Sequence, residues 1–121
     1  MKRKFDWVII KFNMEPKPAS VALRLASNFR DKLSAALGKP VKVILYGSQA
    51  RGEAMPTSDI DLLVVLPDLK KTTLDMALDI AWEVGFDAGK VLSVVPATEN
   101  ELGRLSASPF FRSVQKEGIV V

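Results

Sequence analysis

The sequence predicts an α+β domain in which helices cover one face of a small mixed β-sheet. Two observations indicate this fold class: one stretch with clear helical periodicity, and three short apolar runs that are typical of buried strands. A third is the element order, which is helix, strand, loop, strand, helix, strand and then short helices. With 121 residues, the chain is long enough for one such domain and too short for two.

We divide the chain into an N-terminal extension, residues 1–18, and a domain, residues 19–121. Within the extension, residues 5–12 (FDWVIIKF) are either a short strand or an amphipathic arm. Packing of this segment against the domain is favoured over a role in binding a partner. Pro16 and Pro18 separate it from the first helix, because proline disfavours both helix and ladder pairing.

Helices are expected in four places after the extension. The clearest covers Ser20 to Leu37, where apolar residues recur every three or four positions. For the second, Thr72 or Thr73 is the expected N-cap and Gly85 the expected stop. Its apolar stripe consists of Leu74, Ala77, Leu78, Ala81 and Trp82.

Two short helices follow near the C-terminus. Thr98 and Glu101 form a capping-box pattern for the first of them. Ser108-Pro109 opens the other, since proline is favoured in the first helical turn, and Gly118 stops it.

Three apolar runs are interpreted as strands. They cover residues 41–46, about 59–66, and 90–95, and the last is closed by Pro96. The C-terminal IVV is a further small strand or a packed tail.

The composition excludes several kinds of site. The chain has no Cys and no His, so disulfides, thiolate metal sites and an imidazole base are all excluded. Catalysis would have to use carboxylates, hydroxyls, Lys, Arg or an oxygen-bound cation. No apolar run reaches the ~18 residues of a membrane span, and no signal-peptide pattern follows the basic start. We therefore expect a cytoplasmic protein with no membrane association.

The stretch from Gly47 to Asp61, GSQARGEAMPTSDID, lies between two predicted strands and carries the candidate site. Asp59 and Asp61 are two positions apart at the start of a strand, so their side chains point the same way. Like charges side by side repel, and a bound cation would relieve the repulsion. Mg²⁺ is suited to a few carboxylates supplemented by waters and phosphate oxygens.

The other end of this stretch predicts phosphate binding. Gly47 allows a sharp turn and the close approach of a ligand, and the exposed amides with the Ser48 hydroxyl can bind phosphate oxygens. Arg51 can add charge-assisted contacts. Each of these features alone is most often an ordinary turn or surface residue. Their combination at this spacing is much more specific.

Gly47-Ser48, ten intervening residues and Asp59-Ile60-Asp61 resemble the signature of the DNA polymerase β nucleotidyltransferase superfamily. The longer stretch LYGSQARGEAMPTSDIDLLVVL looks like the minimal nucleotidyltransferases of bacteria and archaea. These are often paired with a HEPN-domain protein in toxin–antitoxin systems. The ending SPFFRSVQKEGIVV is also similar to family members with an "SPF…EGI" tail.

This resemblance implies a polymerase β-like nucleotidyltransferase fold and assigns the site. Gly47 and Ser48, assisted by Arg51, would bind the nucleotide triphosphate. Asp59 and Asp61 would be the catalytic residues and the Mg²⁺ ligands. The reaction would move NMP to a hydroxyl of a HEPN partner, with release of pyrophosphate, and AMP from ATP is the favoured donor group.

One departure from the family concerns a third carboxylate, which full members carry in the following strand. The aligned position here is Ser93, which is neither a base at neutral pH nor a good metal ligand. Asp87 is the nearest acid upstream and is expected in the turn before that strand. The alternative function is therefore a weak or inactive nucleotide-binding subunit that neutralises its partner by binding.

Other functions are less favoured. An enzyme acting on an aminoglycoside-like hydroxyl would need an additional domain for the acceptor, and a chain of this length has little room for one. Direct nucleic-acid binding is disfavoured because the basic residues are scattered and the aromatics show no stacking pattern. Self-association stays open.

Overall fold

A computed structural model describes residues 20–121 of the chain. The predictions for residues 1–18, including the extension and its segment 5–12, lie outside the described residues. The helices are α1 (Ser20–Leu37), α2 (Ser48–Arg51), α3 (Lys71–Ala88), α4 (Glu99–Arg104) and α5 (Pro109–Glu117). The strands are β1 (Lys42–Tyr46), β2 (Ile60–Val65), β3 (Leu92–Ala97) and β4 (Ile119–Val120).

The described strands form a four-stranded sheet in the order β3-β2-β1-β4. β1 pairs antiparallel with β2 and with β4, whereas β2 pairs parallel with β3, so the sheet is mixed as predicted. The β1–β2 register places Tyr46 opposite Asp61. The end of β1 and the beginning of β2 therefore lie side by side, and the loop between them carries the candidate site.

The larger core lies between the sheet and the two long helices. Alternate strand residues, such as Val43, Leu45, Leu62 and Val64, are buried on this face against α1 and α3. On the other face a smaller cluster forms around Leu63 with side chains of α4 and α5. Helices therefore lie on both faces of the sheet and not on one face as predicted, because the C-terminal helices cover the apolar side chains of the second face. This second face also carries Tyr46 and Asp61, and the C-terminal helices therefore approach the site from that side.

Several local predictions are confirmed. Helix α1 has the predicted bounds. The Thr98–Glu101 capping box is present, with both reciprocal hydrogen bonds. Ser108 caps α5, its hydroxyl accepting from the Phe111 N–H.

The predicted start of α3 was wrong. The helix begins at Lys71, and no side chain caps it. The Thr73 hydroxyl instead donates to Asp68 Oδ1 at 2.7 Å, and the same oxygen accepts from the Lys70 N–H at 2.9 Å. Asp68, located before the helix, therefore organises the turn that threonine was expected to cap.

The predicted end of α3 and part of its apolar stripe were also wrong. Gly85 lies inside the helix, where a Cβ would be 2.5 Å from the Lys90 carbonyl oxygen. The helix ends at Ala88 and is capped by Gly89, whose φ of 67° is left-handed. Because the buried face centres on Ala77 and Val84, Trp82 points away from the core and is 68% exposed. Leu78, from the same predicted stripe, is 53% exposed.

The third strand is displaced from its prediction, because it covers Leu92–Ala97 and contains Pro96. Proline lacks the N–H that a central strand would need. In the sheet formed by the described residues β3 is an edge strand, so Pro96 pairs with Val64 on one side without breaking the ladder.

Candidate functional site

Gly47 forms a sharp turn directly after β1. Its φ of 78° and ψ of −157° belong to a region that essentially only glycine adopts. A Cβ at this position would be 2.5 Å from Asp61 Oδ2. The absence of a side chain therefore serves both the backbone turn and the close approach of the Asp61 carboxylate.

The loop that follows is held in place by hydrogen bonds among its own residues. Gln49, in the short helix α2, is 5% exposed and donates from Nε2 to the Ser58 carbonyl oxygen at 3.2 Å. The Ser58 hydroxyl accepts from the Met55 N–H at 2.9 Å. These bonds determine where the chain re-enters the sheet, and they thereby position Asp59, which is exposed immediately before β2.

Asp61 is half-buried on the second residue of β2. Burial is the main cause that raises the pKa of its carboxyl above the usual range, and the charge of Asp59 raises it further. Arg51 acts in the opposite direction and lowers the pKa of Asp61. Asp59 and Arg51 are thus each close enough to Asp61 to influence it electrostatically.

Arg51 ends α2 and makes two ion pairs. Its Nε donates to Glu53 Oε1 at 2.8 Å, and its Nη1 donates to Glu117 Oε1 at 3.0 Å. Both bonds raise the pKa of the guanidinium, so the group is permanently charged. Ser48 opens α2 directly after the Gly47 turn and is half-buried.

Glu117 is a site residue that our sequence reasoning did not single out. The Gly47 N–H donates to its Oε1 at 3.1 Å, so one carboxylate oxygen serves both Gly47 and Arg51. Glu117 is the last residue of α5, 70 positions after Gly47. The only signal in the sequence was the tail pattern that includes it, and that pattern does not indicate which residue it contacts.

Ser93 pairs with Asp61 in the parallel register of β2 and β3, so the two side chains lie on the same face. The neighbour of Asp61 on that strand is therefore a hydroxyl. Asp87 lies in the last turn of α3 and is exposed, not in the turn before β3 as predicted. Among residues 20–121, no group of three or more Asp, Glu, His or Cys is placed to hold a metal ion.

The two aspartates nevertheless fit a Mg²⁺ ion that receives further ligands from a nucleotide. Their carboxylate oxygens are hard donors, and Mg²⁺ is usually bound through one or two carboxylates plus substrate phosphates. The partly buried Asp61 carboxylate and its repulsion from Asp59 are both conditions that a divalent cation would relieve. The glycine at position 47 keeps a side chain away from Asp61 Oδ2.

A cavity of about 390 Å³ lies beside the loop and is lined by Gln49, Met55, Ile60 and Lys90, among others. Ile60 packs into the core on the α1 and α3 face of the sheet, opposite the face of Asp61. None of the predicted site residues lines this cavity. We therefore place the candidate site outside it, at the end of the sheet where Gly47 and Asp61 meet.

Comparisons with known proteins identify nucleotidyltransferases as relatives of this chain. A family model described as "Nucleotidyltransferase domain" matches residues 26–120. A protein of Methanocaldococcus jannaschii named "Putative protein adenylyltransferase MJ0604" is 31% identical over 84 residues, which cover 69% of this chain and 80% of that protein.

The chain also matches a short part of the bifunctional uridylyltransferase/uridylyl-removing enzymes of Burkholderia species, which are much longer proteins. That of Burkholderia orbicola is 35% identical over 57 residues, which are 44% of this chain. The chain matches only 7% of the length of that enzyme.

Among solved structures, one described as "Crystal structure of the toxin-antitoxin with AMP-PNP" superposes with a TM-score of 0.54 at 20% identity. The match covers 77% of this chain and 69% of the other. At this identity the likeness concerns the fold, and it agrees with the mixed sheet and its helices. Within the part of the chain that the structure describes, no helix has the length and apolar character needed to cross a membrane.

Proposed function

This chain belongs to the nucleotidyltransferase domain family, and on that basis we propose that it transfers AMP from ATP to a hydroxyl of a partner protein with the help of Mg²⁺. Residues 19–121 are the catalytic domain in this proposal, and residues 1–18 are an extension. The observation that carries it is the meeting of Gly47, Asp61 and Arg51 at one end of the sheet.

The roles of the residues follow from their chemistry. Asp59 and Asp61 would hold Mg²⁺, which when bound neutralises the triphosphate and stabilises the leaving pyrophosphate. The Gly47 N–H and the Ser48 hydroxyl would donate to phosphate oxygens. Arg51 would add a charge-assisted contact, because its Nη1 lies beside the Gly47 turn through a shared partner.

The proposed reaction needs no cofactor other than the metal. The acceptor hydroxyl oxygen forms a bond to the α-phosphorus of ATP as the bond from that phosphorus to the bridging oxygen breaks. Pyrophosphate leaves with that oxygen. Ser93, beside Asp61, has no basic group near neutral pH, so we assign uptake of the hydroxyl proton to the partner or to solvent.

The choice of a protein acceptor and of AMP rests on the relatives. The Methanocaldococcus jannaschii protein is named as a protein adenylyltransferase, and the solved neighbour is a toxin–antitoxin structure with an ATP analogue. The partner in our proposal is a HEPN-domain toxin, because the GSx10DxD motif resembles the minimal nucleotidyltransferases that accompany such proteins. This chain would then be the antitoxin.

Labelled ATP tests the proposal directly. ATP labelled at the α-phosphate, incubated with Mg²⁺, this chain and the partner, should label the partner, whereas ATP labelled at the γ-phosphate should not. Asp59→Asn and Asp61→Asn should each abolish transfer. Asp79→Asn, an exposed position on α3, is the matched control and should leave transfer unchanged. Equal labelling by the Asp59→Asn variant would refute the assigned role of that residue.

Ser93 supports a second candidate, a nucleotide-binding subunit that neutralises its partner by masking it. Without a third carboxylate beside Asp61, chemistry is slowed by the loss of a base worth roughly 10²–10⁴ in rate. Neutralisation that persists in the Asp61→Asn variant without ATP would favour this candidate. Neutralisation that needs ATP and both aspartates would exclude it.

A further inference from the structure

The Glu117 carboxylate accepts hydrogen bonds from two donors that the proposed function assigns to phosphate. We propose that its carboxylate competes with the nucleotide triphosphate for the Gly47 N–H and for Arg51, so that Glu117 sets the affinity of the site. This inference rests on the proposed nucleotide site. It adds a residue of α5 to that site, and it predicts that this residue opposes binding.

The contacts make the two occupants mutually exclusive. Glu117 Oε1 accepts from the Gly47 N–H at 3.1 Å and from Arg51 Nη1 at 3.0 Å. A carboxylate oxygen and a phosphate oxygen are both anionic acceptors of such donors. The backbone N–H carries a single hydrogen, so a phosphate can use it well only when Glu117 has moved away.

Arg51 is already positioned to bind a phosphate group that replaces Glu117. Its Nε is held by Glu53 Oε1 at 2.8 Å, a bond that does not involve Gly47. When Glu117 leaves, Glu53 can keep the guanidinium in place while Nη1 becomes available. The departure also removes a negative charge from a site that contains Asp59 and Asp61, and this favours an incoming anion.

The movement required is a side-chain rotation. The Glu117 side chain is 26% exposed and has solvent beside it. The backbone just after it is tightly packed, since a Cβ on Gly118 would be 2.6 Å from Ile44 Cγ2 and 2.4 Å from the Val114 carbonyl oxygen. The end of α5 therefore stays against β1 while the glutamate side chain swings out.

Calorimetric titration with Mg²⁺-ATP and with inorganic tripolyphosphate tests the inference on the full chain. If nine molecules in ten hold the Glu117 contact, the apparent Kd is about tenfold weaker than the intrinsic value. We expect Glu117→Gln to tighten both ligands by about threefold to tenfold. Adenosine, which lacks phosphates, should bind the variant and the parent chain equally.

Two further variants separate the contact from general charge. Glu117→Asp keeps the charge but shortens the side chain by one methylene, so it should lose the bridge and also tighten phosphate binding. Glu53→Gln removes one charge near Arg51 but leaves the Gly47 N–H bonded to Glu117, so it should tighten phosphate binding less than Glu117→Gln does. Circular dichroism of each variant should match that of the parent chain, which checks that the variant is folded.

Unchanged or weaker phosphate binding in Glu117→Gln overturns the inference, because it would make Glu117 a support of the site. Tightening in Glu117→Gln but not in Glu117→Asp also overturns it, since only the charge would then matter. So does a failure of the parent chain and the Gln variant alike to bind tripolyphosphate. The proposed function is decided separately, by transfer of label from α-labelled ATP in the parent chain.

Discussion

Replacing Gly47 by Ala offers the sharpest test of how the site is built. The backbone conformation at this residue is nearly restricted to glycine and should cost about 1–3 kcal/mol for alanine. The new Cβ would also meet Asp61 Oδ2 at 2.5 Å. Because the carboxylate can rotate, we place this steric cost near the lower end of overpacking values, at about 1 kcal/mol.

A double-mutant cycle with Asp61→Ala separates the two costs. Alanine at position 61 removes Oδ2 and Cγ, and leaves the nearest Asp61 atom, its Cβ, 3.4 Å from the new methyl group, an ordinary contact. Gly47→Ala should then cost about 1 kcal/mol less than it does in the parent chain. Gly89→Ala is the control for a positive φ in open space, since nothing lies within 4 Å of its Cβ.

Urea unfolding of the four proteins of the cycle and of the Gly89→Ala control, followed by circular dichroism, measures these differences in the free energy of unfolding. Mg²⁺-ATP titration should show in parallel that Gly47→Ala loses binding, because the displaced carboxylate would no longer face the proposed metal position. A coupling energy below about 0.3 kcal/mol, within the usual error of additivity, would refute the close packing of Gly47 against Asp61.

Three further predictions concern other parts of the chain. Ser93→Asp would place a third carboxylate beside Asp61 and should raise the initial rate of label transfer at least tenfold, whereas Ser93→Asn should not. Gln49→Leu removes the donor of the hydrogen bond to the Ser58 carbonyl oxygen. It should therefore lower the free energy of unfolding, measured by urea titration, by about 1–3 kcal/mol. The Thr73 hydroxyl is the main cause of the lowered pKa of Asp68, so Asp68 stabilises the fold above the usual carboxyl pKa. Asp68→Ala should therefore be less stable than the parent at neutral pH, and the difference in the free energy of unfolding should shrink as pH falls through the lowered pKa. A difference that does not change with pH would contradict this assignment.

Several elements could be predicted because their causes are local. Helix α1 has its predicted bounds, since its apolar periodicity and the Gly38 that follows it act within a few residues. The Thr98 capping box needs only a residue three positions away. Both ends of α3 were wrong although their causes are local: Asp68 organises the turn before the helix, and the Lys90 carbonyl packs against Gly85. Residue preferences did not single out these contacts. The inclusion of Pro96 in β3 depends instead on the edge position of that strand in the sheet.

In the candidate site, too, some features follow from the sequence and others only from the tertiary structure. The sequence alone determined the residue types that the proposed chemistry requires, the turn at Gly47 and the neighbouring aspartates, because these are properties of a short segment. Only the tertiary structure decided that Glu117 reaches Gly47 and Arg51, and that Ser93 is the strand neighbour of Asp61. The physical reason is that strand register and helix packing bring together residues far apart in the chain, and these depend on burial of the whole core rather than on neighbouring residues.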